Sequence, residues 1–229
     1  YAIYSLNFKL LNKILVFQEN INNWGSALIT ISYMKKLPHK SGLLNKEAIL
    51  HNHLNDHESA IKILKHCLSN SAPNYDTYNT LCSSYSYSLE SIAEGINFFT
   101  KSLEDDKLNP FINYSLALLH YNQTMLKEDR DFSITLKFMT NCYKYAPNEY
   151  IVLNLFGLIS SSTQKFQDCL VYFLKSLECE RNSVAHANLG YLYSQELVPE
   201  NPPSEITFDI SLEGGHTDRG SKSFYHLKE

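Results

Sequence analysis

The densest group of ligand-type side chains is His51-Asn52-His53-Leu54-Asn55-Asp56-His57-Glu58. Three imidazoles and two carboxylates in so short a run are a donor set from which a zinc site can be built. Its place in the chain argues against one. The run spans a predicted helix–helix turn, where polar side chains are well tolerated. The turn also breaks the i, i+4 alignment of His53 with His57, and His57 stands at a position that elsewhere packs. No metal site is expected. The five cysteines, Cys67, Cys82, Cys142, Cys169 and Cys179, are odd in number and form no C-x-x-C pair. They read as free thiols of a reducing compartment. Cys67, Cys142 and Cys169 fall at packing positions and have no recognisable base beside them, so buried structural thiols are expected rather than nucleophiles. There is no G-x-x-x-x-G-K-[ST] phosphate loop and no G-x-G-x-x-G. The sequons at Asn113 and Asn122 lie in or beside a helical pattern and read as chance matches. The reading is a protein without catalysis and without cofactors.

These residues need elements to position them, and composition indicates which. The 229-residue chain is 44% hydrophobic and 19% charged, enough to bury a core. Its net charge of −4 excludes a strongly basic nucleic-acid binder. The 16 tyrosines have mostly apolar or Asn/Ser neighbours, so they suit packing or groove lining better than base stacking. Eight glycines and seven prolines, three of each after Val198, are few for a β-sandwich or a dinucleotide-binding domain and favour an all-α chain. Lys9, Lys13, Asn7 and Asn12 interrupt the apolar opening, so no transmembrane helix is expected. A chain opening on Tyr1 is expected to be a piece or a processed form. Its first 50 residues hold six lysines against Glu19 and Glu47, which reads as a solvated face.

Small residues followed four positions later by a large apolar one recur at Ala27/Ile31, Ala60/Leu64, Gly95/Phe99, Thr135/Met139 and Cys169/Phe173. A second series, Ala48, Cys82, Ala117, Gly157 and Gly190, alternates with it at spacings of 34, 35, 40 and 33. Offsets of three, four and seven draw a stripe along a helix. Proline marks the junctions at Pro38, Pro73, Pro110 and Pro147. The predicted hairpins are 2–18 with 23–36, 42–53 with 57–70, 75–88 with 91–104, 111–125 with 129–145, and 149–161 with 165–178, followed by a first helix at 183–197. Six extra residues around 122–130 lengthen the fourth hairpin, as longer helices or as a longer loop. Residues 198–229 lose the pattern. They are expected to be an irregular tail, with apolar residues at Ile206, Phe208 and Ile210 to dock partly on the last helix.

Paired helices every 34 or so residues, with a small residue at each crossing, resemble tetratricopeptide (TPR) repeats; Asn188-Leu189-Gly190-Tyr191-Leu192-Tyr193 is similar to the N-L-G-x-x-Y core of a TPR first helix. The resemblance implies an all-α, right-handed superhelix of helical hairpins over 1–197, about five and a half repeats, with 198–229 outside it. It also implies a groove lined by first helices that holds a protein or peptide. The groove positions are Asn79, Ser83, Tyr114, Leu118, Asn154 and Leu158. None is charged, so no carboxylate clamp of the chaperone-tail kind is expected, and binding there should depend weakly on salt. The stretch from Phe173 to Glu178, the run from Asn182 to Tyr193 and the lengthened fourth repeat further resemble the scaffold subunit of the superkiller (Ski) complex. That likeness implies a non-enzymatic scaffold holding an RNA helicase and a β-propeller protein, in cytoplasmic exosome-linked mRNA decay. A location in the nucleus as well, a TPR adaptor of a transcription-factor or ciliary assembly, and a peptide-binding adaptor are its alternatives. No direct nucleic-acid or membrane contact is expected. By this register Gly190 should lie at a close helix crossing, where Gly190→Leu would cost about 1–3 kcal/mol.

Overall fold

A computed structural model describes residues 2–37, 42–70, 74–195 and 197. Eleven helices follow one another in it, with no strand among the described residues: α1 Ala2–Asn20, α2 Trp24–Met34, α3 Leu43–His53, α4 His57–Asn70, α5 Tyr75–Tyr85, α6 Leu89–Asp105, α7 Pro110–Met125, α8 Ser133–Tyr145, α9 Tyr150–Ser162, α10 Phe166–Cys179 and α11 Ser183–Ser194. The chain is all-α in these residues and built of helical hairpins. The 198–229 tail lies outside the described residues.

Short polar residues start several of the helices. The side-chain oxygens of Asn23, Asn74, Ser88 and Asn182 each accept from the amide three residues on, and Asn109 does so ahead of Pro110 at the first helical position. Three hairpins turn on the same device. Asn22, Asn55 and Gln164 adopt left-handed backbone at φ 56, 60 and 59°. The next amide in each then donates across the helix end, Asn23 to the Gln18 carbonyl, Asp56 to His51 and Lys165 to Ser160, at 2.8–2.9 Å. This double-bonded helix end satisfies last-turn carbonyls, and the residue that closes it is also the residue that opens the next helix.

Contacts divide the chain into two compact units, Tyr1–Cys142 and Tyr143–Glu229, the division falling within α8. In the first unit α1 pairs with α2, α3 with α4 and α5 with α6, and each second helix also packs on the next first helix. Its core has one cluster around Leu15, Ala27, Ile31, Met34, Leu43 and Leu50, and another around Leu64, Leu81, Tyr85, Ile92, Phe99, Leu116 and Leu119. In the second unit α10 is sandwiched by α9 and α11. There Cys169, Leu170, Phe173, Ala185, Leu189 and Leu192 form a core.

All ten residues of the five small-then-large pairs are buried. The first-helix series holds at Ala48, Cys82, Ala117 and Gly157, each buried, and fails at Gly190. A Cβ on Gly157 would lie 2.7 Å from the Phe173 ring, and one on Gly95 2.8 Å from Tyr85 and 2.9 Å from Leu119. A Cβ on Gly190 would meet nothing within 4 Å. Gly190 is therefore not at a close crossing. A crossing at this residue needs the second helix of α11's own hairpin, and no helix follows α11 among the described residues. The apolar stripe of α11 is also less open than the pattern suggests: Leu189 and Leu192 are buried in the core with α10, Leu197 packs on it, and Tyr191 and Tyr193 face outward.

The extra residues of the fourth hairpin go to its first helix and its loop and not to its second helix, since α8 runs 13 residues where α10 runs 14. Helix α7 runs 16 residues where α9 runs 13, and a loop at 126–132 leads to α8. Asp131 caps that helix, its carboxylate accepting from the Ser133 amide at 2.8 Å and from the Ser133 hydroxyl at 3.0 Å.

Gly157→Leu should lower stability by about 1–3 kcal/mol, because a side chain there must displace the Phe173 ring. Gly190→Leu should leave the melting temperature unchanged or raise it slightly, through better helix propensity in open space. Thermal melts of the two variants decide the register.

Candidate interaction surface

In the first unit successive first helices are tied by neutral hydrogen bonds. The Tyr114 hydroxyl of α7 donates to Asn79 Oδ1 of α5 at 2.9 Å. Asn52 Nδ2 of α3 donates to the Ser84 hydroxyl of α5 at 2.9 Å, and Asn122 Nδ2 of α7 to Ser86 Oγ at 2.7 Å. Ser84 and Ser86 pass these bonds on to the carbonyls of Thr80 and Cys82, within their own turn or just past it. Bonds to neutral partners fix the register of neighbouring helices without a desolvated charge.

The six positions singled out by spacing fare differently. Asn79 is half-buried, its oxygen engaged by Tyr114, and its amide N–H groups have no acceptor among the described residues. Ser83, one turn on, is exposed and donates to the Asn79 carbonyl at 3.0 Å. Tyr114 is buried and acts through the bond to Asn79; Leu118 is half-buried beside the core. Ile49 is exposed at the α3 position equivalent to Ser83 and Leu118, which makes an uncharged strip of Ile49, Ser83 and Leu118 across α3, α5 and α7. Asn154 and Leu158 belong to the second unit. Asn154 is buried and engaged at both ends of its amide: Ser176 Oγ donates to its oxygen at 2.7 Å, and its Nδ2 donates to Asn182 Oδ1 at 3.0 Å. Asn182 Nδ2 closes the triangle onto Ser176 at 3.0 Å while its Oδ1 caps α11. Leu158 packs on the core of that unit. The register did not single out Asn52, Ser86 and Asn122, although Asn52 and Ser86 both stand four residues after their crossing residues, Ala48 and Cys82.

The histidine cluster is structural. His51 Nδ1 lies 2.9 Å from Asp56 Oδ2 across the turn, and His57 Nδ1 lies 3.2 Å from Asn52 Oδ1. His53 stacks on Trp24 with ring centres 4.1 Å apart, and His57 on Tyr87 at 4.6 Å. No group of three or more His, Cys, Asp or Glu side chains among the described residues is arranged to hold a metal. No two cysteines are paired; Cys82, Cys142 and Cys169 are buried, Cys67 is half-buried and Cys179 exposed. Burial pushes the Cys82 thiol up to about 12 and that of Cys169 to about 11, leaving both protonated at neutral pH. Asn113 of the first sequon is wholly buried. No helix of the described residues is long and apolar enough to cross a membrane.

The lengthened fourth hairpin makes a cleft of about 260 Å³ lined by His120, Gln123, Thr124, Lys127, Asp129 and Asp131. His120 stacks on Phe138 with ring centres 5.7 Å apart. Burial, with the Lys127 ammonium nearby, holds its pKa below the usual imidazole value.

No protein-family model matches the sequence, and no curated protein matches it. Solved structures that resemble the chain include MamA 41-end from Desulfovibrio magneticus RS-1, at 13% identity and TM-score 0.41, covering 77% of this chain and 97% of that one. Another is YrrB, described as a TPR protein with an unusual peptide-binding site, at 12% identity and TM-score 0.41, covering 79% and 90%.

Asn154→Ala strips both partners from a buried triangle, so stability should fall by about 1–3 kcal/mol in a denaturant titration, while Asn79→Ala on the open face should cost less. His120 has its folded pKa depressed below the ordinary value near 6.5. Its contribution is therefore present above that value and lost as pH falls through the folded pKa. His120→Gln should reduce the drop in melting temperature between pH 7 and pH 5.

Proposed function

We propose that the chain is a non-enzymatic protein-interaction scaffold and that the first-helix face of its first unit binds an extended, largely uncharged stretch of polypeptide. One observation carries this reading: Tyr114 holds Asn79 by its oxygen at 2.9 Å and leaves the amide N–H groups without an acceptor among the described residues. A pre-oriented side-chain amide on a rigid helix face suits a main-chain carbonyl. The neighbouring Ile49, Ser83 and Leu118 offer apolar and hydroxyl contacts with no charge to select for or against.

The finer reading is that the chain is a piece of the Ski-complex scaffold, with residues 1–197 as its interaction domain. Its partners are then an RNA helicase and a β-propeller subunit in the cytoplasm. It is supported by the residues from Phe173 to Tyr193 and by the lengthened fourth hairpin.

Affinity capture from cell extract followed by mass spectrometry tests both levels. Recovery of a helicase with a propeller protein supports the Ski assignment, and recovery of chaperones sinks it. For whichever partner is captured, Asn79→Ala and Leu118→Asp should each weaken binding at least tenfold, and raising salt from 50 to 300 mM should change the affinity little. An affinity that collapses with salt places binding on the charged outer faces instead.

A further inference from the structure

Helices α4 and α6 each pack on α5 and leave a crevice of about 190 Å³ between them. Lys65 and Ser69 of α4, Phe98, Phe99 and Ser102 of α6, and Tyr78 of α5 line it. These helices are consecutive and lie inside the first unit. The wall is largely aromatic. Phe98 and Phe99 meet edge-on with ring centres 5.0 Å apart, and Tyr78 lies tilted on Phe99 at 6.0 Å. Such a wall gains more from an aromatic guest than from an aliphatic one, because ring edges and faces attract each other beyond the area they bury. The volume holds one six-membered ring with a few further atoms.

Lys65 is the one charged residue among the described residues that line the crevice. Its Nζ lies 4.8 Å from the centre of the Phe98 ring and 5.4 Å from that of Tyr85, which holds the ammonium beside the aromatic wall. Its ion pair with Glu94 is long, at 3.5 Å, and the Glu94 side chain is 63% exposed. A pair of that kind is weak, so a carboxylate brought in beside a seated ring can displace Glu94. The two rim hydroxyls are arranged for a polypeptide. Ser69 Oγ donates to the Lys65 carbonyl and Ser102 Oγ to the Phe98 carbonyl, each at 3.0 Å. Their protons are spent on their own helices, and their oxygens are left as acceptors for main-chain N–H groups.

We propose that the α4–α6 crevice is a second docking site, which takes an aromatic side chain of a partner polypeptide whose neighbouring residue is acidic. The ring seats against Phe98, Phe99 and Tyr78, and the adjacent carboxylate pairs with Lys65. The site shares no residue with the Asn79 face, and it differs from that face in selecting for charge.

The probe is the peptide Gly-Glu-Phe-Gly, acetylated and amidated, with a 4-fluoro label on its ring, titrated with the full chain and read by fluorine NMR. Saturable binding is expected, several-fold weaker when the peptide carries Gln for Glu and weaker again as salt rises from about 50 to 300 mM. Phe98→Ala should weaken it about tenfold. Lys65→Met keeps the apolar stem and should abolish the preference for Glu over Gln. Glu94→Gln removes the competing carboxylate and should tighten binding, an effect that a merely structural role would not produce. Both of these residues lie at the rim, so the thermal melt should not change. Asn79→Ala should leave the affinity unaltered, which separates this site from the Asn79 face. Absence of saturable binding, equal affinity for the Glu and Gln peptides, or indifference to Lys65→Met overturns the proposal. So does 4-fluorophenylacetate binding as tightly as the peptide, because the crevice is then a site for a small aromatic acid.

Discussion

The structure depends on how closely two helices of a hairpin approach at one residue. At Gly157 and Gly95 the approach is so tight that a single methyl group would collide with an aromatic ring. Where the crossing residue is Ala, Cys or Thr the chain still keeps the side chain short. Close backbones bring the large side chains of neighbouring helices into shared clusters, and this burial stabilises helices too short to persist alone. The same closeness forbids buried unpaired charge between helices. The links across neighbouring first helices are accordingly hydroxyls and carboxamides: Tyr114 on Asn79, Asn52 on Ser84, Asn122 on Ser86 and the Asn154–Ser176–Asn182 triangle. Each satisfies a polar group that packing has taken from water.

Much of this was legible in the sequence, because the repeat is a steric pattern and steric patterns are written in residue size. The small-then-large pairs locate all five second helices. The failure at Gly190 has a definite cause: size at a crossing means something only if a partner helix is present, and spacing cannot show whether one is. The same limit applies to Asn154. Spacing placed it on a groove wall beside Asn79, but it cannot report that Ser176 and Asn182 converge on its amide. Two asparagines at one register position thus serve opposite ends, one spent inside the fold and one with donors unspent.

The histidine run shows why clusters of reactive residue types mislead in helical repeats. A zinc site needs several side chains converging on one point, whereas a hairpin turn sends successive side chains in different directions. His53 and His57 leave the turn to stack on Trp24 and Tyr87, and only His51 is left near a carboxylate. As flat plates with a polar edge, imidazoles suit the rim of a hydrophobic hairpin, where one side is dry and the other wet. The buried thiols follow the same demand for small residues: Cys82 and Cys169 fill crossing positions, and the burial that suits packing keeps them protonated.

The first-helix face of the first unit lies between hairpins already in contact, so its side chains are held from beneath, as Tyr114 holds Asn79. Packing at the crossings brings the first helices together, and the hydrogen bonds between them then fix where each polar group on that face stands. A ligand on the face proposed above has to match those positions, so selectivity there would come from hydrogen-bond geometry rather than from charge. The steric rule that builds the interior therefore also sets the chemistry that the face can offer.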